Sequence, residues 1–394
     1  MTTTAEQVRG YKWPTILSYG FRPFFLSGAA WAAIAVALWL GMLSGQIEIP
    51  TAFAPLQWHV HEMIYGYVPA VIAGFLLTAV PNWTGRRPVV GARLLALFAL
   101  WFAGRLVILF SQVLGIGTAA VIDLAFLAGL GGVIGREIVA SGDKRNLKVL
   151  GMIGLLFAGN AIFHFEAVSG WDTGLGTRVG VAAILLLIMV IGGRIIPNFT
   201  RNWLMRREQG RLPAAFDRLD MAAMAVSAIA LALWVALPEH PVTAALAAMA
   251  ALVNAWRLTR WAGERTWAEP LVSVLHAGFA FVPLGFALIA LAIVRPDLVL
   301  QAGALHAWTA GAIGLMTLAV MTRASLGHTG QQLTATRPIQ AIYVGVGLSA
   351  LTRIAAAFDV MREPMLYASA TLWVLAFTGF LIVYAPLLAL PRRR

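Results

Sequence analysis

Runs of roughly 18–25 apolar residues recur along the whole chain, each long enough to cross ~30 Å of hydrocarbon as a helix. They fall at roughly 23–44, 56–80, 92–112, 116–136, 147–168, 178–200, 218–236, 240–258, 268–294, 298–322, 338–358 and 365–388. The segments between them are short and carry Pro, Gly and charge, as helix ends should. The pattern predicts an all-α polytopic membrane protein with twelve transmembrane helices. It forms one domain over residues 1–394, with no soluble domain or long linker.

Lys and Arg give these spans a direction. Arg9, Lys12 and Arg22 lie at the start. Arg86, Arg87 and Arg93 follow the second span, and Arg136, Lys144, Arg145 and Lys148 the fourth. Arg201, Arg206, Arg207, Arg211 and Arg218 follow the sixth, then Arg257, Arg260 and Arg265 the eighth, and Arg323 and Arg337 the tenth. The tail is Arg392, Arg393 and Arg394. All of these share one side of a twelve-span chain, and the other side has only Arg178, Arg295 and Arg362. Basic loops stay on the cytoplasmic side of a membrane, so both termini are expected in the cytoplasm.

Composition agrees with the pattern. The chain is 60% hydrophobic and 12% charged, where a soluble domain is nearer a quarter charged. The net charge of +12 follows from the loop bias and needs no nucleic acid partner. There is no cysteine. Disulfides, thiolate metal sites, thioether-linked haem and cysteine-ligated iron–sulfur clusters are excluded. The first 20 residues are polar and mixed, without a signal-peptide core. No Walker A loop, dinucleotide fingerprint, HExxH or Ser–His–Asp pattern occurs.

Topology converts histidine positions into depths, at about 1.5 Å per residue. His59 and His61, in WHVHEMIYGYVP, enter the second span from the outer side, and His164, in NAIFHFEAV, closes the fifth there. His306, in GALHAWTAGAIG, is expected about 12 Å down the tenth. Four histidines from three spans thus share one outer layer. A lone histidine near a helix end is ordinarily an interfacial polar residue. Four in one layer point to a site, because intramembrane ionisable groups are costly and neutral imidazole ligates iron or copper. His276 and Arg194 lie in the inner half, and His240 and His328 in loops.

Arg105, Asp123 and Arg353 also fall in the outer half, with Glu62 and Glu166 nearby. Two readings stay open for these charges. Arg105–Asp123 and Arg353–Glu62 are structural pairs, or the arginines hold other carboxylates such as haem propionates. Residues two apart on a helix point about 200° from each other, so a helix already wound at Trp58 sends His59 and His61 to different partners.

The stretches WHVHEMIYGYVPAVIAGFLLTAVPNWTGR, GGRIIPNFTRNWL and LHAWTAGAIGLMTLAVMTRASLGHTG, on a twelve-span chain of this length, resemble the NnrS family over nearly the whole sequence. That family is described as polytopic bacterial membrane proteins associated with haem, copper and the response to nitric oxide. The resemblance implies a bacterial inner-membrane metalloprotein of nitrosative stress or denitrification. Nitric oxide is then the small-molecule ligand, and neither the electron donor nor the reaction is supplied.

A weaker resemblance is to the catalytic subunit of haem–copper oxidases and nitric oxide reductases. Its low-spin haem is held by histidines near the outer starts of helices 2 and 10. Here His59 is followed by Met63, Ile64, Tyr65 and Pro69 at similar spacing, and His306 takes the helix 10 position. The departures are that Ala304 stands where that family has a second haem ligand, and its copper-binding histidines have no counterparts.

The expected site is an outer-half haem b held by His59 and His306, with Arg105 and Arg353 balancing its propionates. His61 and His164, with Glu62 or Glu166, are the candidates for a second metal, copper. His276 is the candidate for an inner site, a second haem included. If an enzyme, the protein is a haem-dependent oxidoreductase that metabolises nitric oxide. Two alternatives are a haem-based nitric oxide sensor without turnover and a secondary transporter. Buried Arg and Asp and Pro/Gly-broken spans also fit a transporter, though no convincing repeat relates the halves.

Overall fold

The computed structural model describes residues 13–142, 144–207 and 209–391. Arg9, Lys12 and Arg392–Arg394 of the charge pattern, and the Lys144 side chain, lie outside the described residues. Twelve helices among them are long and apolar enough to cross a membrane: α1 Phe21–Leu43, α2 Pro55–Thr84, α3 Ala92–Leu109, α4 Ile116–Ser141, α5 Leu147–Val168, α6 Gly174–Leu204, α7 Arg218–Ala236, α8 Pro241–Thr259, α9 Pro270–Val294, α10 Gln301–His328, α11 Arg337–Phe358 and α12 Arg362–Ala389. Each answers to one expected span. Helix ends run past the apolar stretch where polar residues follow, as at Arg201 of α6 and His328 of α10. Hydropathy measures the hydrocarbon, whereas backbone hydrogen bonding continues into the interface until something stops it.

Consecutive spans pack side by side, and α12 returns to pack on α1. The interior of the bundle belongs to α2, α6 and α10. Their apolar windows are 83%, 72% and 78% buried, against 33% for α1, α7 and α12. Polar groups on α2 and α10 therefore face protein rather than lipid, which is where a membrane protein can keep them.

These two interior spans are not α-helical throughout. α2 widens into a π-helix over Glu62–Tyr67, and α10 does so over Ala307–Ile313. Each wide turn starts directly after a histidine, His61 or His306. Such turns are rare, and functional sites are where they concentrate. Neighbours support the widened stretch of α2: the indole N–H of Trp101 donates to the Gly66 carbonyl at 2.8 Å. Below it, Tyr67 Oη and Thr317 Oγ1 lie 2.6 Å apart, tying α2 to α10.

The depth expected for His306 needs one correction. α10 begins at Gln301, so His306 sits only about 8 Å from the helix start. That brings it level with His59, which lies about 6 Å into α2.

Candidate functional site

A polar cluster joins α2 to α5 at the ends of these spans away from the basic loops. His61, Glu62, Arg105, Asp123, Asn160 and His164 are all at most 2% exposed. Asp123 is its hub. Its Oδ2 accepts from Asn160 Nδ2 at 2.8 Å and lies 3.0 Å from His164 Nε2 and 3.2 Å from His61 Nε2. Arg105 donates through Nη2 to Asp123 Oδ1, and through Nη1 to both Glu62 oxygens at 2.8 and 2.7 Å. His61 Nδ1 is 3.0 Å from Glu62 Oε1, and the Trp31 indole donates to Glu62 Oε2 at 2.5 Å.

The cluster carries two carboxylates and one guanidinium. A second positive charge completes the balance. An imidazole placed between two carboxylates donates from both nitrogens when protonated, which suits His61 as imidazolium. A metal ion is the other source of that charge. His61, Asp123 and His164 each offer one donor atom, and the three atoms lie within 4.8 Å of one another. Glycine is required beside this network: a Cβ at Gly66 would stand 2.2 Å from Arg105 Nη1 and 2.7 Å from Glu62 Oε2.

A second group forms on the other side of α2. His59 stacks on the Trp39 ring with centroids 4.2 Å apart, and its Nδ1 is buried with no hydrogen-bond partner among the described residues. His306 Nδ1 lies 2.6 Å from the Ala302 carbonyl. That bond places the ring proton on Nδ1 and leaves Nε2 with a free lone pair. Arg353 belongs to α11, which packs against the Gln301–His306 stretch of α10. Arg353 has no carboxylate partner among the described residues. His59, His306 and Arg353 are half-buried.

Several expected roles change here. Arg105 pairs with Asp123, but it also takes Glu62, so both its terminal nitrogens are committed to protein carboxylates and only its Nε is left without a partner among the described residues. Arg353 does not pair with Glu62, whose oxygens are taken by Arg105, His61 and Trp31. Glu62 therefore orients His61 and not His59. Glu166 stands outside the metal-donor group: its carboxylate caps α6, accepting from the backbone N–H of Leu175 at 3.1 Å and Gly176 at 2.9 Å. His276 is joined by no second histidine; its Nε2 lies 2.8 Å from Thr200 Oγ1. His240 caps α8, accepting from the Val242 N–H at 3.2 Å, and His328 packs against Phe21 with ring centroids 5.6 Å apart.

Sequence reasoning missed Asn160, Trp31 and Trp39. Asn160 had a signal, since it precedes His164 by one helical turn and so shares its face. The indoles had none, because their partners are set by which spans meet.

Residues 15–392 match the model of the family described as NnrS protein. No curated protein matches the chain.

Proposed function

The chain belongs to the NnrS family, and from that membership we propose a haem-containing inner-membrane protein that binds or metabolises nitric oxide in nitrosative-stress response or denitrification. Membership fits a nitric oxide response. The observation that carries the haem reading is the half-buried trio on α2, α10 and α11. Two imidazoles on facing interior spans have ring nitrogens without partners among the described residues, and the guanidinium of Arg353 has no carboxylate partner among them. This donor set fits a haem: His59 and His306 would hold the iron, and Arg353 would meet a propionate. When bound, haem would supply a one-electron couple and an iron with affinity for nitric oxide. The chain's own part is to hold the His306 tautomer through Ala302, to fix the His59 ring against Trp39, and to offset the propionate charge.

A second metal, with copper as the candidate, is favoured by the buried donors of His61, Asp123 and His164. Two imidazole nitrogens and one carboxylate oxygen suit copper as a donor set. Its competitor is the proton on His61, which balances the same charge.

The test is a metal and haem analysis of the purified full-length protein, with reduced-minus-oxidised spectra with and without nitric oxide. A Soret band that is lost in His59→Ala and His306→Ala is the expected result. Absence of the band, or unchanged haem in both variants, overturns the haem reading and returns the protein to the transporter alternative. An electrode then separates steady consumption of nitric oxide by reduced protein from binding alone. Copper that survives His164→Ala removes the second-metal reading.

A further inference from the structure

At the end of the bundle that carries the basic loops, α5 to α8 and the loop before α7 enclose a cavity of about 550 Å³. Four cations, Lys148, Arg194, Arg201 and Arg257, stand in its wall with one carboxylate, Asp220. That carboxylate is already used. Its Oδ1 accepts from Arg257 Nε at 2.8 Å and its Oδ2 from Arg260 Nη1 at 3.0 Å. Arg260 also pairs with Asp217 at 2.5 Å. Two carboxylates thus answer Arg257 and Arg260. Lys148, Arg194 and Arg201 have no carboxylate partner among the described residues, and Arg194 donates only to the neutral Asn146 at 3.1 Å.

Arg257 is an independent sign of a missing ligand. It is 0% exposed, yet its Nη1 and Nη2 have no hydrogen-bond partner among the described residues. Trp261 and Phe279 hold its guanidinium from the apolar side, with ring centroids 5.1 and 5.9 Å from Cζ. Gly193 leaves it room, since a Cβ there would stand 2.2 Å from Nη2. Buried donors without acceptors are costly and rare. An anion in the cavity supplies acceptors for the buried Arg257, and the exposed Lys148, Arg194 and Arg201 at the mouth attract it.

We propose that this cavity binds a phosphate-bearing anion. Guanidinium groups match phosphate oxygens in pairs, and the cations of the wall favour an anionic group over a neutral one. The volume exceeds a bare ion, and Val190, Phe216 and Met224 give the wall an apolar part. The phosphate has two sources: the headgroup of an anionic phospholipid, which basic pockets at this level of a membrane recognise, or a soluble phosphate ester. Leu219 and Met221, exposed at 52% and 53% on adjoining α7, offer an acyl chain an apolar path.

The test uses the full-length protein in vesicles of phosphatidylcholine with and without phosphatidylglycerol, and separately with inorganic phosphate at constant ionic strength. Thermal unfolding reads binding. The variants are Arg194→Gln/Arg201→Gln and Lys148→Gln, none of which breaks an ion pair. Wild type is expected to be stabilised, and the double variant to bind at least tenfold more weakly. Stabilisation by phosphatidylglycerol alone identifies the lipid as source, and stabilisation by inorganic phosphate identifies the soluble one. Stabilisation by neither anion, or variants that bind as wild type does, overturns the proposal. The site is independent of the haem reading: haem content in these variants stays at the wild-type level, so the two fail separately.

Discussion

His59 and His61, two positions apart on α2, serve opposite sides of the same helix. One ring lies flat on Trp39, and the other is locked between Glu62 and Asp123. Their loss should therefore be felt differently. His59→Gly is expected to abolish the haem spectrum with little change in melting temperature, and added imidazole should restore part of it. His61→Ala should keep the haem spectrum and melt lower. If His61→Ala loses haem while melting as wild type does, the division of roles between them is wrong.

Asp123 holds Arg105, Asn160 and two histidines at once. Truncating it leaves a buried guanidinium facing one carboxylate and strands the other donors. Asp123→Ala should cost about 3–5 kcal/mol, the usual result of removing one partner from a buried ion pair. Thermal or denaturant unfolding of the detergent-purified protein measures it. A loss below about 1 kcal/mol would place the cluster in contact with water.

Gly66 tests the same cluster from the backbone. The added methyl of Gly66→Ala meets Arg105 and Glu62, so the network has to part, at a cost of about 1–3 kcal/mol. Gly132→Ala on α4 meets nothing within 4 Å and should be neutral or stabilise by up to about 1 kcal/mol. Equal melting temperatures for the two variants would contradict the close approach.

Asp217 gives a pH dependence outside the spans. Its hydrogen bonds from Arg260, and then from the backbone N–H groups of the α7 N-terminus, hold its carboxyl down at about 2 from an ordinary 3.8. A depressed folded-state value stabilises above the unfolded one and is lost as pH falls through the folded one. The stability difference between wild type and Asp217→Asn should be constant above about pH 5 and shrink between about pH 4 and pH 2. A difference that does not change over that window would show that the charge does nothing.

The twelve spans were legible because hydrocarbon imposes one length on every crossing, and apolar runs report it directly. That the histidines of α2, α5 and α10 share one layer was legible for the same reason, since depth follows from where a span begins. Pairing within the layer was not. His61 and His164 meet because α2 and α5 both pack on α4, and Arg353 lies on a span that packs against the Gln301–His306 stretch of α10 and does not pair with Glu62. Such partners depend on rotation about each helix axis, which apolar runs this uniform do not encode. The wide turns after His61 and His306 were equally silent, since Glu62–Tyr67 and Ala307–Ile313 read as ordinary apolar helix.

Those two turns bear on how this chain tolerates insertion and deletion. A wide turn holds one residue more than an α-helical turn, so each takes up a surplus residue between the histidine above it and the span below without rotating one against the other. Deleting a single residue within Glu62–Tyr67 or Ala307–Ile313 would restore regular winding and leave the histidine on the same side of its span, whereas the same deletion in a regular turn would swing it by roughly 100°. Every span would still cross in either case, and only outside the wide turns would the histidine face the wrong neighbour.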